Sequence, residues 1–304
     1  MAYFVPKHLL LSFALSVSVL LLLLLPVAFS VGPEEAEPIS YHGGPLISGM
    51  LKVGIVWYGP IPRAQRKAIL SFFRSLNTVT PTADNIPQVA TWWNMVESYQ
   101  AYAKPGAAGS SRITVKVVNE AFVPDYNYGK VLIRDFIKGL IPTATAGIPD
   151  TLAVIVASKG VTVQDMCAGS CAQHGLIDNQ TYVAVGDPED ECPECAWPFV
   201  ASSEKEGEVM LPPSGDAGAD AMVKLLAGGL AGAVTNPLGD GFYTTARGNH
   251  FFEATSMCPD VFASVEIPVD PVSGGAYNVV GDKGTKFLLP AIWDPKTSSC
   301  WTPL

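Results

Sequence analysis

Apolar side chains recur along the chain with two different periods, and the two periods alternate. Residues 51–58 (LKVGIVWY) are rich in branched and aromatic side chains and end at Gly59-Pro60, which predicts a β-strand. The segment after Pro62 instead repeats its apolar side chains at helical spacing, at Ala64, Ala68, Ile69, Phe72, Phe73 and Leu76. A helix is therefore predicted to follow the first strand.

The same alternation continues through the rest of the chain. It predicts helices over residues 89–103, 128–140 and 216–235, and strands over residues 112–119, 151–157 and 181–186. Strands separated by helices are typical of an α/β fold, with α+β as the alternative. We expect a single mixed sheet that is covered by helices on both sides over at least part of its area.

The first predicted helix has a basic side, formed by Arg63, Arg66, Lys67 and Arg74. Such a stripe is either a solvated helix face or a binding patch. The pattern alone favours the solvated face, because amphipathic surface helices usually turn their charged side to water.

The N-terminus has the pattern of a signal peptide. Lys7 and His8 precede an apolar run over residues 9–25, which Pro26 and the small residues Ala28 and Ser30 follow. A short basic region, a hydrophobic stretch and small residues at the cleavage positions predict secretion, with cleavage after Ser30. The alternative is an uncleaved anchor, because the run is just long enough to span a bilayer.

Charge and length limit the partners and the number of domains. Cleavage after Ser30 leaves 274 residues with 18 basic and 28 acidic side chains, a net charge of −10. An acidic chain repels phosphate backbones, so we expect no nucleic-acid partner. We expect no membrane partner once the signal peptide is removed. Because no linker or repeat divides the remainder, residues 31–304 predict one domain.

All six cysteines follow the signal peptide, and an even number in an oxidising compartment predicts disulfides. Cys258 and Cys300 are expected to pair with each other. The other four are expected to pair among themselves, in a connectivity that the spacing leaves open: Cys167, Cys171, Cys192 and Cys195.

Thiol and imidazole groups also fit a metal site. Cys167, Cys171 and His174 have a spacing that zinc ligands adopt. The oxidising compartment favours disulfides instead, with His174 in a turn before Gly175 and no bound metal. The acidic run over residues 187–194 is expected to be a solvated loop rather than a cation site.

Two further features concern the surface and the packing. Asn179-Gln180-Thr181 is a glycosylation sequon between turn residues, so we expect a glycan at Asn179.

The last predicted helix contains Gly228, Gly229 and Gly232. Each interior glycine costs roughly 1 kcal/mol relative to alanine, so close approach of another backbone is the expected reason for them. A membrane dimer motif is not expected, because the segment lacks a long apolar stretch.

Several motifs occur in an order that resembles one plant family, the EXORDIUM or phosphate-induced proteins, over residues 40–304. The motifs include residues 55–59 (IVWYG), the Cys167 to Gly175 segment and residues 286–291 (KFLLPA). The remaining motif positions are Tyr41, His42, Gly43, Gly44, Trp197, Pro198, Phe199, Thr235, Asn236 and Pro237. Two departures are a spacing between Cys192 and Cys195 that is one residue shorter than usual, and a shortened loop at residues 262–266.

The resemblance implies a secreted glycoprotein of the apoplast and cell wall that is linked to growth and cell expansion. It implies no established enzymatic activity and no cofactor. Such a protein would act by binding a cell-wall polysaccharide or an extracellular protein.

A second resemblance concerns residues 228–237 (GGLAGAVTNP), which are similar to the active-site helix of zincin-like metallopeptidases. In those enzymes a His-Glu pair leads into a Glu and then Thr-Asp-Pro. On this alignment the metal-binding His falls at Gly228, the general base at Gly229 and the third polar position at Gly232. Glycine provides neither ligand nor base, so the resemblance implies a zincin-like scaffold without its catalytic groups. A chance match over ten residues is the alternative.

No His-Glu-x2-His, Gly-x-Ser-x-Gly or Gly-Lys-Ser/Thr motif is present in the sequence. We therefore predict a protein with no catalytic residues that acts by binding. A secreted hydrolase, metal-dependent or carbohydrate-active, is the alternative, because groups distant in sequence can form a site.

Overall fold

A five-stranded sheet lies at the centre of the fold. The computed structural model describes residues 37–79, 86–104, 112–246 and 250–304, so the predicted signal peptide lies outside the described residues. The strands of the sheet are Gly49–Tyr58 (β2), Ile113–Val123 (β3), Thr151–Ala157 (β5), Gln173–Ile177 (β7) and Gln180–Gly186 (β8). Their order is β3-β2-β5-β8-β7, and only β7, at one edge, runs antiparallel to its neighbour.

The remaining elements are short strands and the helices. The short strands are Ser40–Tyr41 (β1), Val131–Leu132 (β4), Thr162–Val163 (β6), Phe242–Ala246 (β9), His250–Phe252 (β10), Val279–Val280 (β11), Lys286–Phe287 (β12), Ile292–Asp294 (β13) and Ser299–Trp301 (β14). The helices are Arg63–Ser75 (α1), Val89–Ala103 (α2), Arg134–Thr145 (α3), Pro193–Ala196 (α4) and Ala217–Thr235 (α5).

Helices cover both faces of the sheet. Helix α3 packs on one face, where the backbone of Ala144 lies directly over Gly54. Helices α1 and α5 pack on the other face, where Val183 of β8 contacts Gly229. Strand β5 lies between these layers, and all of its residues are buried. This is the mixed-sheet α/β arrangement that the alternation of periods predicted.

The core beside α1 and α2 is built from large aromatic side chains. The ring of Phe72 lies 5.9 to 6.4 Å from the rings of Phe73, Trp92 and Phe287. The indole N–H groups also find partners: Trp92 donates to the carbonyl of Pro290, and Trp93 donates to that of Ile113. These buried rings fix α1 and α2 against the C-terminal segment.

Helix α5 is the longest of the described helices. Asp216 caps its first turn by accepting a hydrogen bond from the amide of Ala219, and a short acidic side chain is a favourable cap at this position. By length and composition α5 is apolar enough to cross a membrane, so the prediction that this segment lacks a long apolar stretch was wrong. However, 83% of its most apolar window is buried inside the protein. It is a core helix, and residues 37–304 form one compact unit around it.

Three local predictions were wrong. The helix predicted over residues 128–140 begins only at Arg134, because Val131–Leu132 pairs with Thr162–Val163 as a short parallel strand. His174 lies inside β7 rather than in a turn. Asp187, predicted in a solvated loop, is fully buried and accepts a hydrogen bond from Gln65 at 2.8 Å.

Candidate functional site: a cleft at the antiparallel edge of the sheet

A cleft of about 800 Å³ lies between β7, helix α5 and the segment after β10. Its walls include Gln173 and His174 from β7, Gly228 from α5, and Glu253 from the segment after β10. It is the larger of the two pockets described in this structure, and it lies where a sheet edge and a glycine-rich helix meet.

A chain of hydrogen bonds connects three elements in this cleft. His174 Nε2 lies 2.6 Å from Glu253 Oε2, and Asn236 donates to Glu253 Oε1 at 2.7 Å. Asn236 in turn accepts from the amide of Gly241 at 2.7 Å. The Asn236 side chain thereby satisfies both its own polar atoms and one carboxylate oxygen. The chain joins β7 to the C-terminal end of α5 and to the segment after β10.

The electrostatics of this chain favour an ionised carboxylate. Burial raises the pKa of Glu253, but the charge on His174 and the hydrogen bonds from His174 and Asn236 together outweigh it, so the pKa lies below the ordinary value. The other ring nitrogen, His174 Nδ1, is buried and has no hydrogen-bond partner in the described residues. One nitrogen of His174 is thus bound and the other faces away from water.

The three glycines of α5 are explained by side chains rather than by a neighbouring backbone, which corrects the prediction. A Cβ atom at Gly232 would overlap the imidazole of His174. One at Gly229 would lie 2.8 Å from a methyl group of Val183, and one at Gly228 would lie 3.0 Å from the hydroxyl of Thr255. The imidazole of His174 therefore fills the space that a side chain at position 232 would need.

All six cysteines are paired, as Cys167–Cys192, Cys171–Cys195 and Cys258–Cys300. The first two pairs link the segment before β7 to α4, and they form part of the cleft wall. The alternative zinc site formed by Cys167, Cys171 and His174 is therefore wrong, because disulfide sulfurs are not thiolate ligands. His174 is bound to Glu253 instead.

The outer edge of β7 faces the cleft with unpaired backbone groups. Asp178 and Asn179 have φ angles of +48° and +62°, which match a two-residue type I′ turn between β7 and β8. In such a hairpin Ile177 and Gln180 form the first hydrogen-bonded pair, so the backbone groups of His174 and Leu176 point outward. Arg134 covers the Leu176 carbonyl at 2.5 Å. The N–H and C=O of His174 have no partner among the described residues.

A lysine on α5 also lies at the cleft. Lys224 is half-buried and donates a hydrogen bond to the carbonyl of Trp197. Burial lowers its pKa to about 8, while Asp260 opposes the shift. This contact joins the Trp197-Pro198-Phe199 motif to α5.

The other family motifs meet at the C-terminal end of α5. The amide of Gly44 donates to the carbonyl of Asp240 at 2.8 Å, and the amide of His42 donates to that of Gly241 at 2.8 Å. Tyr41 donates to the carbonyl of Gly44 at 2.6 Å. The Tyr41-His42-Gly43-Gly44 motif therefore packs on the turn that follows the Thr235-Asn236-Pro237 motif.

No local sequence pattern indicated Glu253, because its partners His174 and Asn236 are far from it in the chain. Lys224 was also missed, since a single lysine in an apolar helix has no pattern. Asn179, the predicted glycan acceptor, lies exposed at the tip of the β7–β8 hairpin.

Comparison with known proteins agrees with the motifs. The family described as "Phosphate-induced protein 1 conserved region" matches residues 39–303. The chain is 35% identical to Protein EXORDIUM of Arabidopsis thaliana, over 89% of this chain and 90% of that protein. It is also 35% identical to Protein EXORDIUM-like 2 of Arabidopsis thaliana (88% and 90%), and 33% identical to Protein PHOSPHATE-INDUCED 1 of Nicotiana tabacum (90% and 90%).

No solved structure matches the chain, so the zincin-like scaffold stays a prediction. The family match spans nearly the whole described region, from β1 to the residues that follow β14. This chain belongs to the EXORDIUM and phosphate-induced protein family.

Proposed function

We propose that the mature chain is a secreted protein of the apoplast that binds an extracellular polypeptide in the cleft without cleaving it. Through this binding it acts in growth and cell expansion. The observation that carries the proposal is the free edge of β7 inside the cleft, at His174. The three disulfides support secretion, because disulfides persist in oxidising compartments.

The edge of β7 favours a polypeptide as the cleft ligand. An extended chain can add a strand to an exposed sheet edge, where its own N–H and C=O groups pair with those of the edge. His174 offers both groups toward the cleft. Phe251, which is 60% exposed at the cleft wall, provides an apolar contact for a side chain of the bound segment.

The chemistry of His174 supports binding without hydrolysis. A general base needs a nitrogen that reaches the water or the substrate proton. Here Nε2 is bound to Glu253 and Nδ1 is buried. The glycines of α5 provide no side chain that could replace it.

A peptide-display selection on the mature protein, produced through a secretory pathway, tests the binding mode. We expect a selected peptide to lose about three- to tenfold in affinity when N-methylation removes an N–H that faces β7, and to be insensitive at the alternate positions. Phe251→Ala should weaken peptide binding. Phe122 is an equally exposed phenylalanine on the opposite edge strand, and Phe122→Ala should leave peptide binding unchanged. A peptide that tolerates N-methylation at every position would contradict strand addition.

Metal and cleavage assays test the absence of catalysis. We expect no stoichiometric zinc by elemental analysis and no cleavage of a peptide library, with or without chelator. Peptide affinity should persist in the His174→Ala variant, because only the backbone of His174 is needed. One tightly held zinc per chain, lost together with a measurable hydrolytic activity, would favour the hydrolase alternative.

A further inference from the structure

A cluster of cations on α1 lies next to an exposed aromatic ring on β3, the edge strand opposite β7. Arg63, Arg66 and Lys67 of α1, together with Phe122 of β3, form this basic patch. Arg63 and Lys67 are exposed, and the guanidinium carbon of Arg66 lies 4.9 Å from the ring centroid of Phe122. The Phe122 side chain is 56% exposed. Helix α1 contains no acidic residue, although the chain as a whole has a net charge of −9.

The cations of the basic patch are not compensated inside the protein. Among the described residues none of the three forms an ion pair, whereas Arg74, at the other end of α1, pairs with Asp282 at 3.1 Å. The carboxylate of Glu120, two residues before Phe122 on β3, accepts a hydrogen bond from the indole of Trp57 at 3.1 Å and forms no ion pair with these cations among the described residues.

The position of these cations on α1 adds to their repulsion. The N-terminal end of a helix carries partial positive charge, and acidic side chains or caps usually balance it. Here Pro62 provides no side-chain cap, and the first turn has no acidic residue. Arg63 and Lys67 also stand four residues apart, where like charges repel. In the free protein these cations therefore repel one another and the positive end of the helix, and binding of an external anion would reduce this repulsion.

We infer that the basic patch binds a polyuronide, a linear polysaccharide whose sugar rings carry carboxylates. An arginine fork binds a carboxylate through two parallel hydrogen bonds. The exposed ring of Phe122 offers an apolar face to the C–H groups of a sugar ring. Arg63 and Lys67 are separated by about 6 Å along the helix axis, so they can contact carboxylates on a chain whose charges are spaced by whole sugar rings.

The charge of the whole molecule selects against denser polyanions. Duplex nucleic acid carries one negative charge per about 1.7 Å of its axis and attracts proteins with extended positive surfaces. This chain is acidic, and its basic patch spans little more than one helical turn, so a widely spaced carboxylate polymer fits better. The inference rests on the proposed secretion, because only an extracellular protein meets such polymers. It does not rest on the cleft, since β3 and β7 are opposite edges of the sheet.

Binding of a short de-esterified oligogalacturonide to the mature protein, measured by calorimetry at low and high ionic strength, tests the inference. We expect binding that weakens with salt, and roughly a tenfold loss in the Arg63→Gln/Lys67→Gln variant. Phe122→Ala should weaken oligogalacturonide binding several-fold. Arg74→Gln, on the same helix but paired with Asp282, is the matched control and should bind as the unaltered protein does.

The ligand controls separate the carboxylate from the sugar backbone. The fully methyl-esterified oligomer, which keeps the backbone and loses the charge, should bind at least tenfold more weakly. Equal binding of the ester, or an unchanged affinity in the double variant, would overturn the inference. So would equal binding of duplex DNA or of anionic lipid vesicles at the same ionic strength. Phe251→Ala, a substitution in the cleft wall, should leave oligogalacturonide binding intact. The polyuronide inference and the cleft proposal can therefore fail independently of each other.

Discussion

Residues 37–163 contribute β2, β3, β5 and helices α1 to α3, whereas residues 167–304 contribute β7, β8, α5 and all six cysteines. The first segment is regular, and large apolar side chains such as Trp57 and Phe72 fill its interior. The second segment contains strands of only two or three residues after β9, together with long irregular connections. The two segments therefore depend on different interactions for their stability.

Polar side chains replace regular backbone pairing in the part of the second segment that follows β9. Asn278 is fully buried and bonds to the carbonyls of Phe262 and Leu289 and to the amide of Leu289. Asp294 accepts from the amide of Lys296 and thereby fixes the turn between β13 and β14. Buried backbone groups must be paired, so these side chains act where no ladder is available. We therefore expect substitutions in the aromatic core and in the polar contacts of the second segment to weaken different parts of the molecule.

The largest expected effect is in the aromatic core. Phe72→Ala removes a fully buried ring and should lower the free energy of unfolding by about 3–5 kcal/mol, because little around it can collapse into the space. Urea unfolding at constant pH measures the change. Phe122→Ala, with its exposed ring, is the control and should change stability by less than about 0.5 kcal/mol. Similar losses in both variants would contradict a packed core at Phe72.

Removing the Cys258–Cys300 disulfide should have the next largest effect. The bridge closes a loop with a sequence separation of 42, and the double Cys→Ala variant should lose about 3–4 kcal/mol in the chain-entropy model. Hydrogen exchange should accelerate first in β13 and β14, while β2 and β5 stay protected. Uniform acceleration through the sheet would show that the two segments do not unfold separately. Peptide mapping without reductant should find no free thiol.

A buried acid in the first turn of α5 should make stability depend on pH. Burial raises the pKa of Asp220 to about 7 from an ordinary value of 3.8, although hydrogen bonds from Ser214 oppose the shift. The folded state therefore holds this proton more tightly than the unfolded state. The contribution of Asp220 is fully present below pH about 4 and is lost as the pH rises through about 7.

Asp220→Asn tests this dependence. Above pH 7 the variant should be more stable than the unaltered protein by about 2–4 kcal/mol, and the difference should vanish near pH 4. Urea midpoints measured across this range give the comparison. A difference that does not change with pH would show that Asp220 is not the titrating group.

The smallest expected effects concern two glycines of α5, Gly232 and Gly228, whose replacement by alanine should change stability differently. Gly232→Ala places a methyl group against the His174 imidazole and should cost about 1–3 kcal/mol by overpacking. Gly228→Ala meets only the movable hydroxyl of Thr255 and should be neutral, or stabilising by up to about 1 kcal/mol through helix propensity. Thermal unfolding measures both. Equal effects would mean that the His174 side chain does not fill the helix face. The same overpacking should make Gly228→His with Gly229→Glu destabilising.

The sequence predicts the elements of residues 37–163 better than those of residues 167–304. Strand β5 and helix α2 were predicted with correct ends, because their apolar periodicity is local. Strand β7 was missed because Gln173, His174 and Gly175 do not alternate in polarity. Its position is fixed by the hairpin turn and by contacts with α5. Glu253 and Asp187 were missed or misplaced for a related reason: each is buried by a partner far away in the chain, and no local pattern encodes that.

The turn at Asn179 has a consequence for self-association. An uncovered sheet edge is a template on which two copies of a protein can pair, and the risk of aggregation grows with concentration. Asn179 lies at the tip of the hairpin that carries this edge, and its neighbour Asp178 forms an exposed ion pair with Lys138 at 2.6 Å. A glycan attached at Asn179 would extend from the end of β7 and sterically hinder a second folded sheet edge more than a single extended peptide, which is narrower. Glycosylation at this turn would thus keep the protein monomeric without closing its binding edge.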